Sequence, residues 1–354
     1  MPARAALLLL ALAVAGLAGC RSATPVTWGS APPPKVRADV VDARGRFREI
    51  VCRLRQVRLR EGPLPDDRPC DDALVRFPDE PAGTRAPVAT ERSRSRRRIL
   101  VVPGIFGECI SPWITPYGDA RPHLEELGYR PDVIPVSGTA GSGKNAGSVR
   151  DFVLGLTDLA PGEKVVLVGY SKGAVDILEA LVAFPELTRR VAAVVSLAGP
   201  ITGSPIADDV PRWRRTLIES LLGPFCGGGR GGITSLTREE RRTFMTRARL
   251  PASIRYFSVI GMVDEPEVSR ALASYYRDLA RVDPHNDGQV VPEDAVIPGG
   301  VLLGYVRADH WALALPFSRA GGPLGWLARL LADRNAYPRE LLLEAIVRAV
   351  EERL

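Results

Sequence analysis

The chain has 354 residues, an ordinary apolar share of 45% and a formal net charge of +6, enough for one large domain or two small ones with a sizeable core. The positive charge is nearly all arginine, spread along the chain and interrupted by acids, so it speaks against a nucleic-acid surface. The densest basic run, Arg92 to Arg98, falls in a connector.

At the N-terminus, Arg4 precedes an apolar run from Ala5 to Leu17 that is too short to span a bilayer comfortably. It ends in Leu17-Ala18-Gly19-Cys20, small residues before a cysteine. This resembles the bacterial lipoprotein signal. The resemblance implies that residues 1–19 are a signal peptide, that Cys20 is acylated, and that the chain is tethered to a membrane rather than spanning it. Arg21 follows where an aspartate would imply inner-membrane retention, so an exported protein of the outer membrane or cell surface is expected. Residues 20–35 are rich in Pro, Ser and Ala and read as the tether.

Phe47, Ile50, Val51, Leu54 and Val57 recur at helical spacing, which predicts an amphipathic helix over 45–59. A short helical piece is expected from Cys70 to Phe77, then a polar connector. The segment 36–96 is therefore expected to be a small helical appendage to the domain 97–354. From residue 98 the texture changes. Short apolar runs at 99–102, 132–136, 164–168, 191–197 and 254–260 predict strands, with Val301–Val306 the last strand-like run. Helical patterns at 119–127, 146–158 and 173–184 lie between them, which predicts an α/β fold with a mostly parallel sheet covered on both faces. Residues 201–250 interrupt that rhythm with glycine clusters and helices near 211–222 and 237–248, as expected of a lid. The tail, 324–354, predicts two helices separated by Pro338.

Gly169-Tyr170-Ser171-Lys172-Gly173 is the strongest local signal, because a predicted strand precedes it and a predicted helix follows. The glycines let a sharp turn close and expose the Ser171 hydroxyl at a helix N-terminus. A serine hydroxyl needs a base to become a nucleophile. Of His123, His285 and His310, only His310 lies after the last strand-like run; His123 reads as a surface residue and His285 as structural. The acid that orients the base has two candidates. Asp264 follows a predicted strand almost directly. Asp287 lies in a compact Asn-Asp-Gly turn that can hold a carboxylate rigidly. For oxyanion donors, the backbone N–H of Lys172 and that of Ile105, with Phe106 as the alternative, follow from the loop Pro103-Gly104-Ile105-Phe106-Gly107 after the first strand.

Together these residues resemble the lipase and esterase branch of the α/β-hydrolase superfamily over about 98–320. The nearest likeness is to bacterial lipases and to the lipase-like domain of inositol deacylases. There the acid sits in an Asn/Ser-Asp-Gly turn, as Asp287 does here, and the base in a short Asp-His or Gly-His loop, as His310 does. The resemblance implies Asp287 as the acid, and an activity on carboxylic esters, lipid esters included, without cofactor or metal. Pro103-Gly104 stands where many such lipases have His-Gly. In the lid, Trp213, Leu217, Leu221, Leu222 and Phe225 are candidates for an apolar acyl pocket.

After Cys20 the chain has Cys52, Cys70, Cys109 and Cys226, an even number that suggests disulfides in an exported protein. Connectivity is not readable from the sequence. Cys52–Cys70 is the local choice, and Cys109–Cys226 would then tie the oxyanion loop to the lid. Three rival readings remain. Residues 138–145, from Gly138 to Lys144-Asn145, nearly spell a phosphate-binding loop but end in Asn145 where Ser or Thr is needed. A non-catalytic binding lipoprotein and an acyltransferase using the same residues are the others.

Overall fold

The computed structural model describes residues 28–29, 31–111, 113–321 and 325–354. The expected signal peptide, Cys20 and most of the expected tether lie outside them. Among the described residues there are eight strands: β1 (Val41–Asp42), β2 (Leu74–Val75), β3 (Arg98–Val102), β4 (Arg130–Val133), β5 (Val165–Tyr170), β6 (Val191–Leu197), β7 (Arg255–Gly261) and β8 (Val301–Val306). The helices that matter here are α1 (Arg44–Glu61), α2 (Arg121–Glu126), α3 (Ser142–Leu154), α4 (Lys172–Ala183), α5 (Pro205–Asp209), α6 (Arg212–Leu222), α7 (Arg238–Arg247), α8 (Ala273–Leu279), α9 (Gly325–Leu331) and α10 (Arg339–Glu351).

The strands form one sheet in the order β1-β8-β7-β6-β5-β3-β4, with β2 antiparallel to β8 and every other pairing parallel. β5 is buried along its whole length, as a central parallel strand covered on both faces must be. Its side chains alternate between two cores. Val166 and Val168 join α1 and α10 residues such as Phe47, Leu54, Ile346 and Val350. Val165 and Leu167 join α3 and α4 residues such as Val149, Ile177 and Leu181. Complete burial of each such aliphatic side chain contributes about 1.5–3 kcal/mol. This mostly parallel architecture is the one expected.

The segment 36–96 differs from the helical appendage expected of it. β1 and β2 each pair with a different half of β8, and α1 packs against α10 in the main core. The reason lies in arginines that pair far along the chain. Arg46 meets Glu352, just past the end of α10, and Arg58 meets Glu344 within it. Only Cys70–Ala73 is helical in the predicted 70–77 piece; the chain then extends into β2. Disulfides join Cys52 to Cys70 and Cys109 to Cys226. His123 is not free on the surface: it is partly buried, with Nε2 2.9 Å from Glu344. No helix among the described residues is long and apolar enough to cross a membrane.

Candidate active site

Ser171 occupies the bend between β5 and α4 with φ +52° and ψ −125°, a conformation that non-glycine residues rarely adopt. The bend is possible only because its flanks are glycine. A Cβ at Gly169 would overlap the backbone of Ala174, and one at Gly173 would overlap the carbonyl oxygen of Val102. The following side chain, Lys172, turns inward and is buried, its amine 2.6 and 2.9 Å from the Asp176 carboxylate one turn along α4. Asn145 donates its amide to Asp176 at 2.8 Å and to the Ser137 carbonyl at 3.0 Å, so α3 and the first turn of α4 are locked together.

The Ser171 hydroxyl lies 2.9 Å from Nε2 of His310, and Nδ1 of His310 lies 2.7 Å from Oδ2 of Asp287. All three residues are buried. The other Asp287 oxygen, Oδ1, accepts the N–H groups of Gln289 and Val290 at 2.8 Å each, so the turn fixes the carboxylate by its own backbone. Asn286 accepts from Gly288 at 2.9 Å, which tightens the same turn. An imidazole held between a hydroxyl and a carboxylate can take the hydroxyl proton and keep the resulting charge stabilised.

Asp264 is elsewhere. Its carboxylate accepts the backbone N–H of Trp28 at 2.9 Å, and it makes no hydrogen bond with His310. His285 is also outside the arrangement, its Nδ1 3.0 Å from Asp283. The structure thus brings together Ser171, His310 and Asp287, and leaves the alternative acid apart.

The loop after β3 reaches the serine. A Cβ at Gly104 would stand 3.0 Å from the Ser171 Cβ, so glycine is needed for the close approach. Of the two candidate donors there, Phe106 spends its N–H on the Gly138 carbonyl at 2.8 Å, whereas the N–H of Ile105 has no acceptor among the described residues. The N–H of Lys172 likewise has none. The Cys109–Cys226 disulfide joins the helical turn after this loop to the segment following α6.

Two supports were not legible in advance. Asp309, fully buried, accepts from Ser269, Trp311 and Ala312 N–H groups and so shapes the loop that carries His310; burial pushes its carboxyl above the ordinary range. The Tyr170 hydroxyl donates to the His310 carbonyl at 2.8 Å.

The Ser171 and His310 side chains border a cavity of about 270 Å³ whose wall is mainly apolar. α6 presents Ile218 and Leu222 to it, α5 presents Ile206 and Ala207, and α9 presents Leu327 and Leu331 from another side. Here the expectation needs correction. Of Trp213, Leu217, Leu221, Leu222 and Phe225, only Leu222 lines the cavity; the other four are exposed. The phase of α6 is set by Glu219, which is buried and accepts the N–H groups of Gly231 and Ile233 at 2.8 Å each.

The phosphate-loop look-alike has another use. Its N–H groups are spent within the protein: Gly138 on Cys226, Ala140 on the Ser137 hydroxyl, Gly141 on Arg230. They cannot cradle a phosphate as such a loop must. Among the described residues no group of three or more His, Cys, Asp or Glu could hold a metal ion.

A mostly parallel sheet with a serine at the strand-to-helix bend and a histidine beyond the last strand defines an α/β-hydrolase. A scan against models of protein families gave no match, and a search of curated proteins gave none either. Among solved structures, the metagenomic carboxyl esterase MGS0156 is 38% identical, with 96% of this chain and 98% of that one covered and a TM-score of 0.83. The chain therefore belongs to the carboxyl esterase family of α/β-hydrolases that this structure represents. The fold is also shared by Staphylococcus hyicus lipase (15% identity, 76% and 99% covered, TM-score 0.58) and by EstA from Clostridium botulinum (11%, 79% and 96%, TM-score 0.51).

Proposed function

We propose that the protein is a serine hydrolase of carboxylic esters working through an acyl-enzyme. His310 takes the proton of Ser171, whose oxygen attacks the ester carbonyl. The Ile105 and Lys172 N–H groups receive the oxyanion. His310 then protonates the leaving alcohol, and Asp287 holds the imidazolium. Water, deprotonated by the same histidine, attacks the acyl-enzyme carbonyl and releases the acid and the free serine. Residues 201–250 act as the lid, with Ile218 and Leu222 forming part of the wall for the apolar half of the substrate.

The observation that carries this reading is the unbroken chain from hydroxyl to imidazole to carboxylate at 2.9 and 2.7 Å. Membership of a carboxyl esterase family supports the choice of ester over other acyl bonds. The test is hydrolysis of p-nitrophenyl esters of graded chain length by wild type, Ser171→Ala and His310→Ala, with a fluorophosphonate probe as second readout. Wild type hydrolyses the esters and labels, while both variants lose turnover and Ser171→Ala loses label. Full turnover by Ser171→Ala would remove the reading.

The Leu17-Ala18-Gly19-Cys20 signal further supports an exported protein anchored by acylated Cys20, with membrane and ester substrate as its partners. Metabolic labelling with a radioactive fatty acid tests this. Label absent from wild type, or kept by Cys20→Ser, refutes it.

A further inference from the structure

The cavity beside Ser171 is apolar almost throughout, yet one charged side chain lines it: Arg214, on the inward stripe of α6 that also carries Ile218 and Leu222. Among the described residues, the Arg214 guanidinium has no ion pair and no side-chain hydrogen bond. Nearby charges are already engaged. Arg215 is tied to the carbonyls of Val210 and Asp208, and Asp278 is paired with Arg281 at 3.0 Å. Tyr275 of α8 lines the same cavity, and among the described residues its hydroxyl makes no hydrogen bond, unlike that of the neighbouring Tyr276. Burial pushes that hydroxyl's pKa up; the Arg214 charge opposes the shift and the Asp278 carboxylate adds to it. Gln289, two residues beyond Asp287, is a further polar lining residue.

The partly exposed Arg214 brings the one permanent charge to the lining of this apolar cavity, and no carboxylate among the described residues pairs with it. A guanidinium with a phenol beside it suits a carboxylate, which accepts charge-assisted hydrogen bonds from both. From this we infer that Arg214, supported by Tyr275, is a specificity-determining residue for esters that carry a carboxylate on the half of the molecule remote from the scissile bond. The preferred substrates are then half-esters of dicarboxylic acids, or esters of an alcohol that itself bears a carboxylate.

This rests on the ester-hydrolase reading above, and the experiment separates the two. Two matched pairs of esters serve as probes. One is p-nitrophenyl hexanoate against the mono-p-nitrophenyl ester of adipic acid. The other is phenyl hexanoate against the hexanoyl ester of 4-hydroxybenzoate. The readout is the ratio of kcat/KM, charged over neutral, within each pair. In wild type at least one pair favours the charged ester, by about tenfold to a hundredfold, and the favoured pair tells which half meets Arg214. Arg214→Met collapses that ratio through KM, Arg214→Lys restores part of it, and Tyr275→Phe lowers it. The exposed Arg249→Met leaves the ratio as in wild type. A wild type without preference in either pair, or a preference that survives Arg214→Met, overturns the inference while leaving the hydrolase intact. Loss of the hydrolase reading has a different signature: Ser171→Ala would go on cleaving all four esters.

Discussion

The backbone N–H of His310 donates to the carbonyl oxygen of Asp287 at 2.8 Å, in addition to the 2.7 Å contact between their side chains. The two residues are thus joined twice, by groups 23 positions apart in the chain. Orientation of the imidazole follows from main-chain geometry as much as from the carboxylate.

Asp287→Asn should therefore fold normally and lose kcat by on the order of ten-thousandfold, because the amide cannot stabilise the imidazolium. Asp264→Asn, whose side chain still accepts from Trp28, should keep most of its activity. Steady-state kinetics on one p-nitrophenyl ester decides the matter. A dead Asp264→Asn beside an active Asp287→Asn would reverse the assignment.

Acyl-chain preference should respond to one stripe of α6 and not to the other. Ile218→Trp fills the cavity and shifts the preferred ester to a shorter acyl chain. Leu217→Ser, one residue away on the exposed side, leaves the chain-length profile unchanged. The profile of kcat/KM against chain length is the measurement; equal effects of both substitutions would contradict the facing of this helix.

The two disulfides should differ in weight. Cys109–Cys226 closes a separation of 117 residues and Cys52–Cys70 one of 18. Loop entropy alone assigns about 5 kcal/mol to the first and about 3 kcal/mol to the second. Denaturant titration of the paired Cys→Ala variants compares them. Loss of Cys109–Cys226 should also depress activity, since it ties the Ile105 loop region to the segment after α6, whose Ile218 and Leu222 line the cavity.

Glu344 gives stability a pH dependence. Burial pushes its carboxyl up, but hydrogen bonds from His123 and Arg58 outweigh this and leave it below its ordinary value of 4.5. A carboxyl lowered on folding adds stability above its unfolded value and gives that stability up as pH falls through the folded one. Wild type should thus lose stability on acidification below about 4.5, while Glu344→Gln shows a shallower slope there. At neutral pH that variant should be less stable by about 3 kcal/mol, because Arg58 is left buried beside a neutral group. Chemical denaturation at a series of pH values reads both.

The parts of the fold that were legible in the sequence are those with long, single-purpose patterns. β3 and β5 to β8 appear as apolar runs, and the bend at Ser171 as two glycines flanking a serine, whereas β4 pairs as Arg130–Val133 and meets the expected 132–136 strand only at Asp132 and Val133. What escaped depends on contacts between distant residues. β1 and β2 are two residues each, too short to leave a periodic trace. On α6, Trp213, Leu217 and Leu221 share their spacing with Arg214, Ile218 and Leu222, so periodicity gives the period but not the phase. Composition favours the first set as the inner face. The Glu219 carboxylate, by binding the backbone at Gly231 and Ile233, turns the second set inward. Ser171 and His310 were legible from the residues themselves, whereas Asp287 is preferred to Asp264 only through the family resemblance, and the structure sets the Asp287 carboxylate against the His310 ring.

The pairing of β1 and β2 with opposite halves of β8 has a consequence for solubility. An outermost strand of six residues with its amides and carbonyls bare is a template on which another molecule can grow a ladder. Here two short caps running in opposite directions cover it, and neither is long enough to extend the ladder outward. A chain trimmed to begin after residue 96 would lose both caps, uncover β8 and the apolar side of α10, and self-associate in proportion to its concentration.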